Sequence, residues 1–484
     1  MSASPHAGPA GSCDVAVLGA GPAGAAAAIE ASALGLRVAL LDEQPIAGGQ
    51  VYRAVPGIAP VRADRDRAEG DRLRSTLADA NIERHFCHRV WHVERVDDEW
   101  RVHALGPEGP RTVHAAALIV ATGAQERHVP FAGWERPGVI GLAAATVLIK
   151  AQRILPGRNV VVAGVGPLLL VVAKAIIEGG GRVAAIVDAN ARGDWFAHAR
   201  DLVSRPDLVA RGIGWIRTMR SHGVPMLHGH ILRTVDGDTR SLRAVAAPIG
   251  RDGHPHAEVA STELLCDAVC CGFGLMPATD VTRLAGAAHA FDPARGGWHV
   301  IVDADQRCDL PGLYAAGDGA GVTGAAAAPL QGRIAASAVA RDLGRMDANA
   351  RGARGKKRGS VRAARFGTAM TQLASVGDGA IASIPADVIV CQCERLSRRV
   401  LDGAIDDGCA TINDLKSATR CGMGPCGGRL CEDTAARLIA IRTGRTRTDI
   451  GQATGRPPLR PVDLDALAGT FDYDALPMPV PSPL

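Results

Sequence analysis

Six of the twelve cysteines in this 484-residue chain fall within 41 residues: Cys391, Cys393, Cys409, Cys421, Cys426 and Cys431. Even scatter would place about one there. Thiolates crowded this closely suit zinc or an iron–sulfur centre. The first residues, Met1 to Cys13, carry no basic segment followed by an apolar stretch, so no secretory leader is expected and the cytoplasm is the default location. In that setting a metal site is expected before disulfides. Cys391-x-Cys393 and Cys421-x4-Cys426-x4-Cys431 offer five thiols for four positions, with Cys409 as a structural thiol. Zinc ligands usually pair at wider spacing than Cys-x-Cys.

Glycine marks a second kind of chemistry. Gly19-x-Gly21-x-x-Gly24, with Pro22 and Ala23 inside it, follows an apolar run and opens an Ala-rich stretch. Gly19 permits a tight turn, Gly21 lets backbone approach a pyrophosphate, and Gly24 lets helix and strand pack closely. The phosphates would rest on the helix N-terminus, where unpaired N–H groups and the dipole favour anions. Asp42 follows Gly24 after 17 residues and is placed to accept from ribose hydroxyls, with Glu43 as the neighbouring alternative.

The elements that must position these groups are legible as a repeat. Residues 14–43 and 159–188 each read as an apolar β-branched run, a glycine turn, an apolar helix, a glycine stop, a second apolar run and an acid. Each is a βαβ unit, so two nucleotide-binding folds are expected. In the second unit, Gly164-x-Gly166-x-x-Leu169 lacks the third glycine, and Asp188 holds the ribose-binding position; the occupant could be NAD, ATP or nothing. Arg192, close to that acid, would suit a 2′-phosphate. Between the units, Val90 to Val113 alternates as antiparallel strands do, and Cys270-Cys271 on an expected strand should point to opposite faces as small buried hydrophobes.

Composition bounds the function. Apolar residues make up 47 % and aromatics 3 %, with 58 glycines, which suits an α/β protein and argues against an aromatic platform for single-stranded nucleic acid. A net charge of +4, from 54 basic and 50 acidic residues, names no nucleic-acid or membrane partner. No apolar run approaches the roughly 20 residues of a membrane span. Residues 351–365 carry seven basic residues and no acid, which reads as a solvated linker to a separate module. The proline-rich tail from Arg456 is expected to be extended and to lie across a neighbouring surface. His85, His88, His92 and His103 read as surface or core histidines, and no catalytic acid or base stands out beside the glycine segments.

Three further segments, Gly48-Gly49-Gln50, Ala121-Thr122-Gly123 and Ala316-Gly317-Asp318-Gly319, together with the first glycine turn, resemble the flavin-binding segments of the two-dinucleotide-fold (glutathione-reductase-like) flavoproteins. The resemblance implies FAD, with Asp318 on the ribityl chain and Gly49, Gln50, Thr122, Gly123 and Gly317 around it. Gly272-x-Gly274-x-x-Pro277 resembles the closing segment of that superfamily's NAD domain. No Cys-x-x-Cys lies near these segments, so disulfide reduction is not expected. The run from Cys391 through Thr419-Arg420-Cys421-Gly422-Met423-Gly424-Pro425-Cys426 to Cys431 resembles the bacterioferritin-associated-ferredoxin domain. That implies a two-iron, two-sulfur (2Fe-2S) cluster on Cys391, Cys393, Cys426 and Cys431, with Cys421 as the alternative ligand.

The order of parts resembles the large (A or alpha) subunit of heteromeric FAD-dependent amino-acid and opine dehydrogenases, the group of opine oxidase, D-hydroxyproline and proline dehydrogenases and hydrogen cyanide synthase. It implies a discontinuous FAD domain (1–130 and 285–345), an inserted nucleotide domain (131–284), a basic linker (346–383), a small mainly α cluster domain (384–446) and a tail (447–484). It also implies an electron-transfer role beside a D-amino-acid-oxidase-like catalytic subunit, and a small ferredoxin-like protein is a further possible partner. The alternatives are a self-sufficient NAD(P)H-dependent reductase and an assembly scaffold whose folds hold a static nucleotide such as ATP and whose cysteines hold zinc.

Overall fold

In the computed structural model, which describes residues 12–54, 65–238, 241–250, 252–256, 259–346 and 353–468, both halves of the repeat fold as strand, helix, strand. β1 (Ser12–Leu18), a helix Pro22–Ala33 and β2 (Val38–Asp42) lead through a helix Arg65–Asp79 to β3 (Glu83–Phe86), β4 (Arg89–Val96), β5 (Glu99–Gly106) and β6 (Gly109–Val120). The chain leaves this fold at β7 (Ala124–Glu126). It then builds β8 (Val139–Gly141), a helix Leu142–Val147, β9 (Asn159–Gly164), a helix Leu168–Glu178, β10 (Arg182–Asp188) and β11 (Met226–His228). A meander of β12 (His230–Gly237), β13 (Leu242–Pro248) and β14 (Thr262–Cys266) precedes β15 (Ala268–Gly272). The chain returns at β16 (Leu275–Pro277), which pairs antiparallel with β7, and adds β17 (His289–Asp292), β18 (Gly297–Val300), β19 (Leu313–Ala315) and a helix Ala328–Asp342.

The first sheet runs β3-β2-β1-β6, all parallel, with β19 parallel to the end of β6 and the β4–β5 hairpin antiparallel on its beginning. The second runs β11-β10-β9-β15-β8, also parallel. Both faces of such sheets are covered, which is why Val15 to Leu18 of β1 and Ala268 to Cys271 of β15 read as apolar runs. Cys270 and Cys271 do face opposite cores, both buried. The alanines of helix Pro22–Ala33 let it press directly on helix Ala328–Asp342: a Cβ at Gly332 would lie 2.0 Å from the Ala23 carbonyl oxygen.

The basic segment is not a solvated linker. From Ala353 to Leu373 it is one helix, lying against both folds. Lys356 pairs with Glu30 and Lys357 with Asp305 in the first fold, while Arg365 reaches Asp201 in the second. At Gly367 a Cβ would fall 1.7 Å from the Thr323 carbonyl oxygen, so helix and first fold touch backbone to backbone. The cysteine region follows: β20 (Ile389–Cys391), β21 (Leu396–Ser397), and helices Arg398–Asp406, Ile412–Thr419 and Glu432–Thr443. Ser397 and Thr411 occupy the N-cap positions of the first two, and Thr411 forms a capping box with Asp414. Nor is this region a separate module. Its apolar interior, including Leu401, Leu415 and Leu438, is continuous with that under the second fold, including Val161, Val187 and Phe273. Leu459 of the tail donates its amide to the Trp91 carbonyl on β4, 2.8 Å; the later prolines Pro477, Pro479, Pro481 and Pro483 lie outside the described residues. Among the described residues no helix is long and apolar enough to cross a membrane.

Buried charges lock the cysteine region to the two folds. Arg127, just after β7, donates to Asp433 at 3.1 Å and to the Gly296 carbonyl at 2.8 Å. Asp433 also accepts from Arg447, whose guanidinium lies over the Phe291 ring. Burial opposes the charge on Asp433, but Arg127, Arg447 and Arg437 outweigh it and hold the carboxyl far below its usual range. A group with a depressed folded-state pKa contributes stability present above its unfolded pKa and lost as pH falls below about 4. Arg127→Met strands this buried acid on fewer partners and should cost about 3 kcal/mol. Thermal unfolding followed by circular dichroism should show a lower Tm at pH 7 and a smaller further loss below pH 4 than in the wild type.

Candidate cofactor sites

The first glycine turn lies where the strand order reverses, between the carboxyl ends of β1 and β6, where open α/β sheets bind ligands. Gly24 has no room for a side chain, since a Cβ would sit 1.7 Å from the Gly19 carbonyl oxygen. Gly21 is different: a Cβ there would meet nothing nearer than the Gly49 Cα at 3.8 Å, and no side chain caps the helix it begins. The amides of that first turn therefore face open space walled by Gly48 and Gly49, whose loop is held by the Gly48 amide on the Ala20 carbonyl. This cradle fits a pyrophosphate.

Asp42 accepts from the Ala20 amide at 2.6 Å and the Gln44 amide at 2.7 Å, so it braces the turn from the end of β2. Burial raises its pKa, and those two amides oppose the rise. Glu43 and Gln50 are exposed. Thr122 donates to the Ala278 carbonyl, and Gly123 accepts from the Ala278 amide, tying the end of β6 to the chain returning from the second fold. Asp318 is half-buried, and desolvation raises its pKa; its Oδ1 accepts both the Thr323 and Gly324 amides, at 3.0 and 2.8 Å. The Gly317 amide donates to Gln331, a buried side chain that no motif spacing singled out.

In the second fold, Gly164, Gly166 and Asp188 do come together at the carboxyl ends of β9 and β10, but the space over them is taken. A Cβ at Gly166 would lie 2.8 Å from the Ala374 Cβ, and one at Gly274 would lie 2.0 Å from the Ala374 carbonyl oxygen. Asp188 is buried, accepting from the Asn190 amide with His228 3.5 Å away. Arg192 is exposed. Nearby, Glu126 turns both carboxylate oxygens to the Ala143 amide, at 3.2 and 3.1 Å; burial pushes its pKa up to about 7. Neither Ala374 nor Glu126 carried a sequence signal, since each acts on segments distant in the chain.

The thiols form two adjacent groups. The Sγ atoms of Cys391, Cys421 and Cys431, all buried, lie within 4.8 Å of one another. Cys393 contacts Cys426. Hydrogen bonding from Cys421 and Cys431 pulls the Cys391 pKa down, and their bonds to Cys391 push the other two up. Cys409 is half-buried at the rim of the module's core. Gly424 leaves room for Cys393, whose Cβ would be 2.2 Å from a Cβ at that position. Gly422, Gly427 and Gly428 have positive φ, which lets the loop turn repeatedly around the thiols. The donors are soft and close, with Cys391, Cys421 and Cys431 buried and Cys393 and Cys426 half-buried, and they fit an iron–sulfur cluster or zinc. Arg429 fastens this loop to the first fold through Asp280 at 2.5 Å, and Arg283 joins Asp280 to Glu432.

The pyridine nucleotide-disulphide oxidoreductase family model matches residues 13–344, and the sarcosine oxidase A3 domain model matches residues 389–470. The A subunit of opine oxidase from Agrobacterium tumefaciens is 33 % identical over 470 residues, covering 94 % of this chain and 91 % of that one. The HcnB subunit of hydrogen cyanide synthase from Pseudomonas protegens is 30 % identical, covering 93 % and 96 %. Among solved structures, L-proline dehydrogenase from P. horikoshii shares the fold with a TM-score of 0.68 at 22 % identity, over 94 % of this chain and 79 % of that one.

The two glycines of the first turn should respond differently to substitution. Gly21→Ala places a Cβ in the open cradle without a clash, so the protein should fold with a wild-type circular dichroism spectrum while flavin absorbance falls at least ten-fold. Gly24→Val drives a side chain into backbone and should abolish soluble expression.

Proposed function

The chain belongs to the pyridine nucleotide-disulphide oxidoreductase family, and from that premise we propose that it is the electron-transferring subunit of a heteromeric FAD-dependent dehydrogenase acting on an amino acid or opine. It is an FAD-dependent oxidoreductase, with FAD in the first fold and a cysteine set compatible with an iron–sulfur cluster. Bound FAD takes two electrons as a hydride and a cluster passes them singly, so a chain holding both converts between carriers of the two kinds. The observation that carries this reading is the seating of the buried thiols against the flavin fold. Arg429–Asp280 and Arg127–Asp433 fix the cysteine region to segments that also tie to Thr122 and Gly123. Similarity to the opine oxidase and hydrogen cyanide synthase subunits over nearly the whole of both chains supports the presence of partner subunits. Oxidation of the C–N bond is assigned to a D-amino-acid-oxidase-like partner, with a small ferredoxin-like protein completing the complex.

Within the chain, the proposed flavin contacts are the uncapped turn at Gly21 to Gly24, Asp42 or Glu43 at the ribose, and Asp318, whose Oδ2 is left for the ribityl hydroxyls while Oδ1 holds its own loop. The proposed cluster ligands are Cys391, Cys393, Cys426 and Cys431, a set that draws on both thiol groups; Cys421 is the reserve, lying beside two of them.

Anaerobically isolated chain should be inert toward amino acids and opines. Co-expressed with its catalytic partner, it should show flavin bleaching and a reduced-cluster EPR signal on addition of the true substrate. Turnover by the isolated chain would overturn the relay role. Iron and sulfide analysis should find Cys421→Ser near full content and Cys431→Ser depleted several-fold; the reverse would make Cys421 a ligand.

A further inference from the structure

The second glycine turn has the strand order, turn and terminal acid that a dinucleotide needs, yet it differs from the first at one decisive place. The middle glycine of the first turn, Gly21, faces open space. Its counterpart Gly166 faces protein. Ala374, the residue after the connector helix, brings its Cβ and Cα to 2.8 and 3.2 Å from where a Cβ of Gly166 would be, and its carbonyl oxygen to 2.0 Å from that of Gly274. Gly166 and Gly274 flank the crevice between β9 and β15, where the strand order of this sheet reverses and a pyrophosphate would cross. Both have positive φ, so their backbones turn without side chains to make this close approach possible.

The plug is tied in place. Asn190, two residues beyond Asp188 and buried, donates its Nδ2 to the Leu373 carbonyl at 2.7 Å. On the far side, Arg437 holds the Val376 carbonyl at 2.8 Å. Thr371 donates to Val322 in the first fold at 3.0 Å. The residue that follows Ala374 by two, Val376, is part of the core shared by the second fold and the cysteine region. Three parts of the molecule therefore hold one short segment over one glycine turn.

We infer that residues 373–376 are a built-in occupant of the second nucleotide crevice, filling the pyrophosphate subsite and excluding NAD(P)H and ATP alike. The fold family supplies a pyridine-nucleotide domain, but the residues present do not fit its ligand. Ala374 is thereby a specificity determinant: electrons enter this chain from a partner and not from a dinucleotide. The inference goes beyond the relay role and is tested without the partner.

The experiment takes the full holo-chain alone, under anaerobic conditions. Titration calorimetry with NADH, NADPH and ATP should show no saturable binding at millimolar ligand, and stopped-flow absorbance should show no flavin bleaching by NADH or NADPH. Hydrogen–deuterium exchange should find amides 373–377 protected, with Asn190→Ala raising their exchange several-fold while the flavin spectrum is unchanged. Saturable binding of any of the three nucleotides that Asp188→Ala weakens, or wild-type amides 373–377 exchanging within seconds, would overturn the plug. Neither result bears on partner-dependent turnover, so failure here is distinguishable from failure of the relay role.

Discussion

Each of the two large sheets ends its central parallel strand in a glycine turn, and removing side chains there leaves a gap that something must fill. A helix N-terminus at the edge of that gap presents amides with no partner of their own. Over Gly21 the gap stays open, walled only by the Gly48–Gly49 loop, and an anionic cofactor can satisfy those amides. Over Gly166 the chain's own residue 374 fills it. The same local geometry thus becomes a cofactor cradle in one fold and a packing joint in the other.

That joint explains why the cysteine region is not a pendant domain. The connector helix crosses the first fold, pairs with acids on both folds and delivers residues 374–376 into the second. From there the chain enters a core that the second fold and the cysteine helices share. Apolar burial alone would tolerate sliding; the buried Arg127–Asp433–Arg447 network sets the register, because displacing it would strand a charge away from water. The second fold has become a rigid bracket between the flavin cradle and the thiols.

Much of the site was legible because its signals are local. Gly24 is needed by Gly19, five residues away, and a thiol loop with three positive-φ glycines holds Cys421, Cys426 and Cys431 close together in the chain. The helix start at Thr411 follows from a side chain that caps the next turn. The basic run misled for the opposite reason. Seven cations without an acid read as solvated, but their partners Glu30, Asp201 and Asp305 come from distant parts of the chain, 326 residues away in the case of Lys356 and Glu30.

By itself, then, the amino-acid order determined that there are two βαβ units, a flavin-type turn and a crowded thiol loop, because each depends on residues close enough to constrain one another's backbone. Only the tertiary structure decided which of the two glycine turns stays open, and which of five thiols share one pocket. Both outcomes depend on what distant segments bring to the same few ångströms of space, and spacing along the chain carries no record of that.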